Sequence, residues 1–291
     1  MKKDIGSLKE LASQVRRDIV RMVYYCQSGH PGGSLGCTDF LVALYGNHLN
    51  YKLPFTMEGK GEDLFFLSNG HISPVWYSVL ARTGFFPVAE LTSFRKLNTR
   101  LQGHPTTHEG LPGVRIASGS LGQGLSVGIG AALAKKLDKD MGIIYVLTGD
   151  GELDEGQNWE AIMSGAHHKV DNIIVTVDWN GQQIDGPTDA VMSLGDLEAK
   201  WTAFGWDVLI CDDGNDIESI SLTIQDAKSH LGKGKPIVIL MKTKMGYGVD
   251  FMMGSHKWHG VAPNEEQCKN ALAQLPETLG DFEFDPNYKS H

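Results

Sequence analysis

Five short runs of aliphatic and β-branched residues along the chain predict buried strands. They cover residues 63–68, 143–148, 172–178, 207–211 and 236–243. Nearly continuous apolar runs are typical of parallel strands that are covered on both faces of a sheet. Between these runs, apolar residues recur every three to four positions and predict helices over 7–27, 38–47, 73–83, 121–138, 154–168 and 216–230. Alternating strands and helices predict an α/β fold, a doubly wound, mostly parallel sheet with helices on both faces.

The composition supports one large domain. The chain has 291 residues, of which 41% are hydrophobic, and this is enough apolar material for a full core. Because no repeat or low-complexity linker divides the sequence, we expect a single domain over residues 1–274 and a loosely attached C-terminal extension over residues 275–291. The four cysteines form no Cys-x-x-Cys pair, so we expect them to be reduced thiols.

Charge and hydropathy restrict the expected partners and location. The formal net charge is −9, and a net acidic chain repels the phosphate backbone of nucleic acids, so we expect no nucleic-acid partner. The longest apolar runs have the length of strands, and the charged N-terminus lacks the apolar segment of a signal peptide. We therefore expect a cytoplasmic protein with no membrane partner.

Two polar motifs follow neighbouring predicted strands. Gly149-Asp150-Gly151 comes directly after one strand, and Asn180 follows the next strand along the chain. The carboxyl ends of parallel strands meet at one edge of the sheet, where open α/β folds bind their ligands. Mg²⁺ prefers oxygen ligands and usually takes only a few of them from the protein. The spacing therefore predicts a divalent cation held by Asp150, Asn180 and a backbone carbonyl just beyond, that of Gln182.

The residues around the first motif predict how a phosphate group would bind. Gly149 and Gly151 allow the backbone to approach a diphosphate closely. The helix predicted to follow, with Asp154 and Glu155 in its first turn, would present free N–H groups to phosphate oxygens. Together with the cation ligands, these residues predict a site for a metal-bound diphosphate.

Gly149-Asp150-Gly151, followed by Asn180 one strand–helix unit later, resembles the thiamine-diphosphate motif. Five further segments resemble transketolases in particular, and together with this motif they occur in the order of that family: 28–36, 68–71, 102–105, 118–124 and 255–260. The chain therefore resembles the N-terminal, diphosphate-binding subunit of a split transketolase. This resemblance implies the fold of a thiamine-diphosphate-binding (PP) domain. It also implies thiamine diphosphate as the cofactor and Mg²⁺ as the metal, for which Ca²⁺ or Mn²⁺ can substitute.

The resemblance also implies roles for single residues. It places His30 and His259 at the C3 hydroxyl of the substrate, where an imidazole takes and returns a proton, and it places His104 at the C1 hydroxyl. The metal ligands that it implies are Asp150, Asn180 and the carbonyl of Gln182. The residues that it implies as cofactor contacts are His71, Gly119, Leu121, Gly151, Asn180, His259 and Glu155.

No segment of the chain resembles the pyrimidine-binding domain of transketolases. That domain carries a glutamate that activates the aminopyrimidine, and it carries most of the basic residues that bind the sugar phosphate. The partner that the resemblance implies is therefore a C-terminal (pyrimidine-binding) transketolase subunit, in an α₂β₂ assembly. The implied reaction transfers a two-carbon ketol unit from a ketose phosphate to an aldose phosphate, and we expect activity only from the two subunits together.

Other functions remain open from the sequence. Within the same cofactor class, the chain could be a subunit of an E1-type 2-oxo acid dehydrogenase. The histidine loops around His30 and His104 favour a sugar substrate, because decarboxylation of a 2-oxo acid has no C3 hydroxyl to deprotonate. A non-catalytic, cofactor-binding regulatory subunit is an alternative from a different class, and the intact set of histidines disfavours it.

Overall fold

The apolar runs of the sequence form a parallel sheet. The computed structural model describes residues 3–288, so residues 1, 2 and 289–291 of the predicted domain and extension lie outside the described part of the chain. The strands are β1 (Leu64–Leu67), β2 (Ile144–Gly149), β3 (Ile173–Trp179), β4 (Gln182–Gln183), β5 (Gly186–Pro187), β6 (Asp207–Cys211) and β7 (Ile237–Lys242). Five of them pair in parallel in the order β1-β2-β3-β7-β6, and β4 and β5 form a short antiparallel pair. The five predicted strands and the α/β fold class are therefore confirmed.

Helices connect the strands and pack on the sheet. They are α1 (Ile5–Cys26), α2 (Pro31–Gly36), α3 (Thr38–Ala43), α4 (Ser73–Arg82), α5 (Gly124–Leu137), α6 (Gly156–His167), α7 (Thr188–Val191), α8 (Leu197–Ala203), α9 (Ile217–Ser229) and α10 (Glu265–Gln274). A π-helical turn continues α3 over Leu44–His48. Short 3-10 helices occupy Gly70–Ile72, Val88–Ser93, Gly151–Asp154 and His256–Trp258. Each of the six predicted helices is present, and four further helices, α2, α7, α8 and α10, were not predicted.

Two helices near the carboxyl ends of the strands begin later than the sequence predicts. The helix predicted over 121–138 begins at Gly124, because the preceding Gly122 lies in the left-handed region with a φ of +85°. The helix predicted over 154–168 begins at Gly156, because Glu155 has an extended backbone with ψ of 123°. The segment before α5 and the loop after β2 are therefore longer than expected, and non-helical backbone borders the edge of the sheet.

The segment after α10 packs along α1. Arg17 binds Asp281 through two hydrogen bonds of 2.8 Å and 2.7 Å, and its Nη1 also donates to the carbonyl of Leu275. Phe282 is buried, and Phe284 stacks on Tyr25 with ring centroids 3.9 Å apart. The expectation of loose attachment is therefore wrong for residues 275–288. This segment has no regular apolar pattern, and a few separate contacts hold it against α1. The domain boundary at residue 274 stays a prediction.

Two further expectations concern the whole chain. Within residues 3–288, no helix is both long enough and apolar enough to cross a membrane. The four cysteines are free thiols, and three of them are buried in the core. This agrees with the expectation of reduced, structural cysteines.

Candidate active site

A cavity of about 240 Å³ opens beside the carboxyl ends of β2 and β3. It is formed where the loops after β1, β2 and β3 meet the segment that follows β7. The predicted site residues that line it are His30, His71, Gly119, Leu121, Asp150, Gly151, Asn180, Gln182 and His259. The structure therefore brings together nine of the eleven residues that were singled out from the sequence, and it leaves out His104 and Glu155.

Asp150 and Asn180 lie at the ends of adjoining strands and share this cavity. The two carboxylate oxygens of Asp150 accept hydrogen bonds from the backbone N–H groups of Gly151 at 2.8 Å and Gly181 at 2.6 Å. The Asn180 side chain accepts from the N–H of Gln182 at 2.8 Å, which brings the Gln182 backbone to the same corner. Asp150 and Asn180 therefore converge on one crevice, as expected, and the contribution of the Gln182 carbonyl stays a prediction.

Asp178, the residue before Trp179 in β3, completes this corner. Its carboxylate accepts hydrogen bonds from the Asn180 amide at 2.8 Å and from the Thr243 hydroxyl. Its backbone carbonyl accepts from the N–H of Asp150 at 3.1 Å, which ties the ends of β2 and β3 together. Because the Asn180 Nδ2 is occupied by Asp178, the Asn180 Oδ1 keeps a fixed direction and a second lone pair for another ligand.

The electrostatics of this corner fit a divalent cation. Burial and the nearby charge of Asp178 raise the pKa of Asp150 to about 7, although two backbone N–H groups favour its ionised form. Burial also raises the pKa of Asp178. Among the ion pairs of residues 3–288, none includes either carboxylate. Two buried carboxylates without a counter-charge lie here beside an amide oxygen. Mg²⁺ or Ca²⁺ would neutralise their charge and would accept these oxygens as ligands.

Polar atoms elsewhere in the cavity lack partners and fit a polar ligand. The side chain of Asn69 is only 1% exposed, and neither its oxygen nor its nitrogen has a hydrogen-bond partner within the described residues. The Nδ1 atoms of His30 and His259 are buried and unpartnered in the same way. Because buried polar groups are almost always hydrogen-bonded, these atoms indicate a ligand that supplies the missing partners. A diphosphate with an attached heterocycle meets this requirement.

Three histidines form a cluster at one side of the cavity. The ring centroids of His30, His71 and His259 lie 5.0–5.5 Å from one another. Burial and the charges of His259 and Arg95 lower the pKa of His30 to about 4. Burial likewise lowers the pKa of His71 and of His259. The three imidazoles are therefore neutral at pH 7, and a neutral imidazole can accept a proton or donate a hydrogen bond.

His104 and Glu155 lie outside the lining of the cavity. The ring of His104 lies 6.1 Å from that of His30 and packs against Gly119, so it stands beside the cluster rather than in the cavity wall. Burial and the charge of Arg95 lower the pKa of His104. Glu155 is exposed at the start of α6 and packs against Gly122, next to the loop that carries Gly119 and Leu121. Its role as a cofactor contact stays a prediction.

The phosphate-binding helix terminus also differs from the prediction. Gly151 begins a four-residue 3-10 turn rather than a long helix, and its N–H donates to the Asp150 carboxylate. The first N–H groups after the motif therefore do not form the expected helix N-terminus. Gly151 still lines the cavity, so its role as a cofactor contact stays a prediction.

Four residues of the site were not singled out from the sequence. They are Asn69, Arg95, Glu152 and Asp178. Asn69 lies within a segment that carried the family resemblance, and its position just after β1 was a usable signal. Asp178 was assigned to a strand, and Glu152 was given no role, although it directly follows the Gly149-Asp150-Gly151 motif. Arg95, whose Nη1 donates to Ser28 Oγ at 3.1 Å, came from a segment with no recognisable motif.

Comparisons with known proteins show which family this chain is similar to. A family model described as the thiamine diphosphate binding domain of transketolase matches residues 7–284. One of the subunits of the apulose-4-phosphate transketolase of Phocaeicola vulgatus is 37% identical over 98% of this chain and 99% of its own length. The 6-deoxy-6-sulfo-D-fructose transketolase subunit of a Clostridium species is 37% identical over 92% of this chain and 96% of its own length.

A solved structure with the same fold is longer than this chain. The crystal structure of Campylobacter jejuni transketolase superposes with a TM-score of 0.86 at 34% identity, over 99% of this chain. The match covers 44% of that enzyme, so this chain spans less than half of its length. Its match to the two relatives described as subunits, in contrast, extends over nearly their full length.

Proposed function

This chain belongs to the transketolase family, in the thiamine diphosphate binding domain, and from this membership we propose that it is the diphosphate-binding subunit of a two-subunit transketolase. The reaction is transfer of a two-carbon ketol unit from a ketose phosphate to an aldose phosphate. The observation that carries the proposal is the cavity in which unpaired buried carboxylates face unpartnered histidine and amide atoms. This arrangement supplies separate places for a cation, a diphosphate and a sugar.

We further propose that the divalent cation binds Asp150, Asn180 and the backbone carbonyl of Gln182. The support is that Asp150 and Asn180 line one cavity and that the Gln182 N–H already contacts Asn180 Oδ1. Asp178 would orient the Asn180 amide toward the metal from behind. Thiamine diphosphate, when bound, supplies the nucleophilic carbon that takes up the two-carbon unit. His71, Asn69, Gly119 and Leu121 line the same cavity and would contact it.

The neutral histidines are proposed to handle the protons of the sugar. His30 and His259 lie 5.5 Å apart, and each has an unpartnered ring nitrogen. Either can accept a proton from a substrate hydroxyl and return it to the product, since burial keeps both neutral at pH 7. His104, beside His30, is proposed to bind the C1 hydroxyl at the edge of the cluster.

The partner is proposed from the length of the chain and from the names of its relatives. This chain spans 44% of a solved transketolase, and its full-length relatives are described as subunits. The proposed partner is a C-terminal, pyrimidine-binding subunit, in an α₂β₂ assembly located in the cytoplasm. That partner would supply the groups that activate the cofactor ring and bind the phosphate of the sugar.

Cofactor binding is tested by thermal unfolding of the purified chain. We expect Mg²⁺ and thiamine diphosphate together to raise Tm, because a ligand at 100 times its Kd stabilises the folded state by about 2.7 kcal/mol. Thiamine without its diphosphate, or either component alone, is expected to have a much smaller effect. An unchanged Tm at millimolar cofactor and cation, together with no heat of binding by calorimetry, would refute the proposed cofactor.

The roles of the histidines are tested in the assembled enzyme. His30→Ala and His259→Ala are each expected to lower kcat by roughly 10²–10⁴-fold, the usual range for loss of a general acid–base group. His108→Ala is the matched control, because His108 is an exposed loop histidine outside the cavity. If both cavity variants kept kcat within a few-fold of the His108 variant, the proposed proton-transfer roles would be wrong.

A further inference from the structure

Three loops of the cavity meet at a single buried carboxylate, that of Glu152. Glu152 is 2% exposed and lies two residues after Asp150. Its Oε1 accepts hydrogen bonds from the Ser68 hydroxyl at 2.5 Å and from the Gly122 N–H at 2.9 Å. Its Oε2 accepts from the Gly149 N–H at 3.0 Å. One side chain therefore connects the loop after β1, the loop before α5 and the end of β2.

The connection extends one step further through Ser68. The Ser68 hydroxyl donates its single hydrogen to Glu152 and accepts the N–H of Gly124 at 3.1 Å. A Cβ added at Gly124 would lie 2.4 Å from Ser68 Oγ, so the start of α5 fits against Ser68 only without a side chain. The backbone carbonyl of Glu152 in turn accepts from the Asn158 amide at 2.6 Å, which fixes the turn that carries it.

Each loop that Glu152 contacts also supplies residues to the cavity wall. Ser68 is followed by Asn69 and His71, Gly149 by Asp150, and Gly122 is preceded by the Gly119–Leu121 stretch. These are the groups proposed above for the diphosphate, the cation and the cofactor ring. A displacement of any one loop would separate ligands that must act on the same cofactor.

The negative charge of Glu152 is unfavourable for binding of a diphosphate. The carboxylate lines a cavity proposed to hold an anionic diphosphate, so its negative charge opposes binding. A neutral side chain would avoid that repulsion. A carboxylate, however, is the side chain that accepts hydrogen bonds at both of its ends, whereas an amide offers an acceptor at one end only. The hydrogen bonds that hold the loops therefore explain a carboxylate at this position better than its charge does.

We propose that Glu152 is a positioning residue that fixes the three cofactor-binding loops relative to one another before the cofactor arrives. This inference rests on the proposed function. A site whose groups are already held in place loses less conformational freedom on binding and therefore binds more tightly. Glu152 need not touch the cofactor for this effect, and it is not proposed as a catalytic residue.

The test is the affinity of the full chain for thiamine diphosphate in the presence of Mg²⁺, measured by titration calorimetry well below Tm. In Glu152→Gln the single amide oxygen can meet Gly122 or Gly149 but not both, and we expect Kd to rise about 10-fold or more, a loss of about 1.4 kcal/mol. Ser68→Ala removes one of the three donors and the acceptor of Gly124, and we expect a smaller rise. Glu198→Gln, at an exposed acid of α8, is the matched control.

Amide hydrogen exchange of the unliganded variants gives an independent measure of loop order. We expect faster exchange at Gly122, Gly124 and Gly149 in the Glu152 variant, because their acceptor is lost or displaced, while the strands stay protected. A role limited to stability would lower Tm without changing Kd of the folded chain. A Glu152 variant with a lower Tm but a Kd within two-fold of the wild type would therefore overturn the inference.

Two further results of the binding experiments would overturn the inference about Glu152. Tighter binding by Glu152→Gln would mean that charge repulsion outweighs loop order, and it would overturn the inference while leaving the proposed cofactor intact. If Glu152→Gln does not fold, Ser68→Ala decides, and a Kd within two-fold of the wild type there would again overturn it. Absence of binding by the wild-type chain would instead refute the proposed function, and this inference with it.

Discussion

Replacement of Asp150 by Asn is expected to abolish the cation-dependent binding of thiamine diphosphate and, in the assembled enzyme, transketolase activity. Asp150 is 1% exposed and has no cationic partner in the described chain, so a bound divalent ion would form a buried charge pair with it. Removal of one partner of such a pair costs about 3–5 kcal/mol, which corresponds to a loss of roughly 10²–10⁴-fold in affinity. The measurement is a titration with Mg²⁺ at saturating cofactor.

The control for this variant is Asp212→Asn. Asp212 follows β6 at the same edge of the sheet, but it is exposed and pairs with Lys242 at the surface, where an ion pair contributes little. We expect this variant to bind the cation and the cofactor like the wild type. If Asp150→Asn kept its Mg²⁺ affinity within three-fold of the Asp212 variant, the proposed cation site would be wrong.

The pKa of Asp150 adds a pH dependence to the same measurement. Burial and the charge of Asp178 raise this pKa to about 7, so protons compete with the cation below that pH. In the unliganded chain, the ionised form of Asp150 is disfavoured on folding, and this cost grows as the pH rises from the unfolded pKa through about 7. A cation that binds the ionised form removes the cost. We therefore expect cation-dependent stabilisation to be larger at pH 8 than at pH 5.5, and less pH-dependent in Asp150→Asn.

The purified chain without its partner is expected to have at most about 1% of the transketolase activity of the two-subunit assembly. The chain spans 44% of a solved transketolase, and general acid–base groups that a partner provides usually contribute 10²–10⁴-fold to the rate. The measurement is two-carbon transfer from a ketose phosphate by the two chains separately and by their mixture. Activity should appear on mixing and saturate at a fixed ratio of the two chains.

This experiment separates partner dependence from cofactor binding. The isolated chain should still show the rise in Tm with Mg²⁺ and thiamine diphosphate, because all the residues proposed to bind the diphosphate and the cation belong to this chain. Full activity from the isolated chain would contradict the two-subunit proposal. Absence of activity from a correctly assembled complex, with cofactor bound, would instead favour a non-catalytic role.

Much of the fold could be predicted because its signals are local. The strands β2, β3 and β7 are nearly continuous aliphatic runs, and such runs are seldom compatible with anything but a buried strand. The starts of α5 and α6 were missed because they depend on backbone angles at Gly122 and Glu155 that hydropathy does not encode. The packing of residues 275–288 was missed because it depends on contacts across the whole length of the chain.

The sequence alone could predict some residues of the site and not others. Asp150 and Asn180 were found because both follow predicted strands, so the topology of a parallel sheet places them together. Asn69 and Glu152 were missed because their importance is visible only in three dimensions, as unpartnered amide atoms in one case and as three converging hydrogen bonds in the other. Glu155 was placed among the cofactor contacts by the family resemblance; it does not line the cavity of this chain, and that role stays a prediction.

The contact between α1 and residues 281–282 has a consequence for synthesis. Arg17 and Arg21 bind Asp281 and the Phe282 carbonyl, which lie 264 and 261 residues further along the chain. These contacts of α1 therefore cannot form until residues 281 and 282 have left the ribosome. Contacts between segments this distant in sequence form late in folding, so the face of α1 that carries these two arginines stays uncovered by this segment on the nascent chain until then.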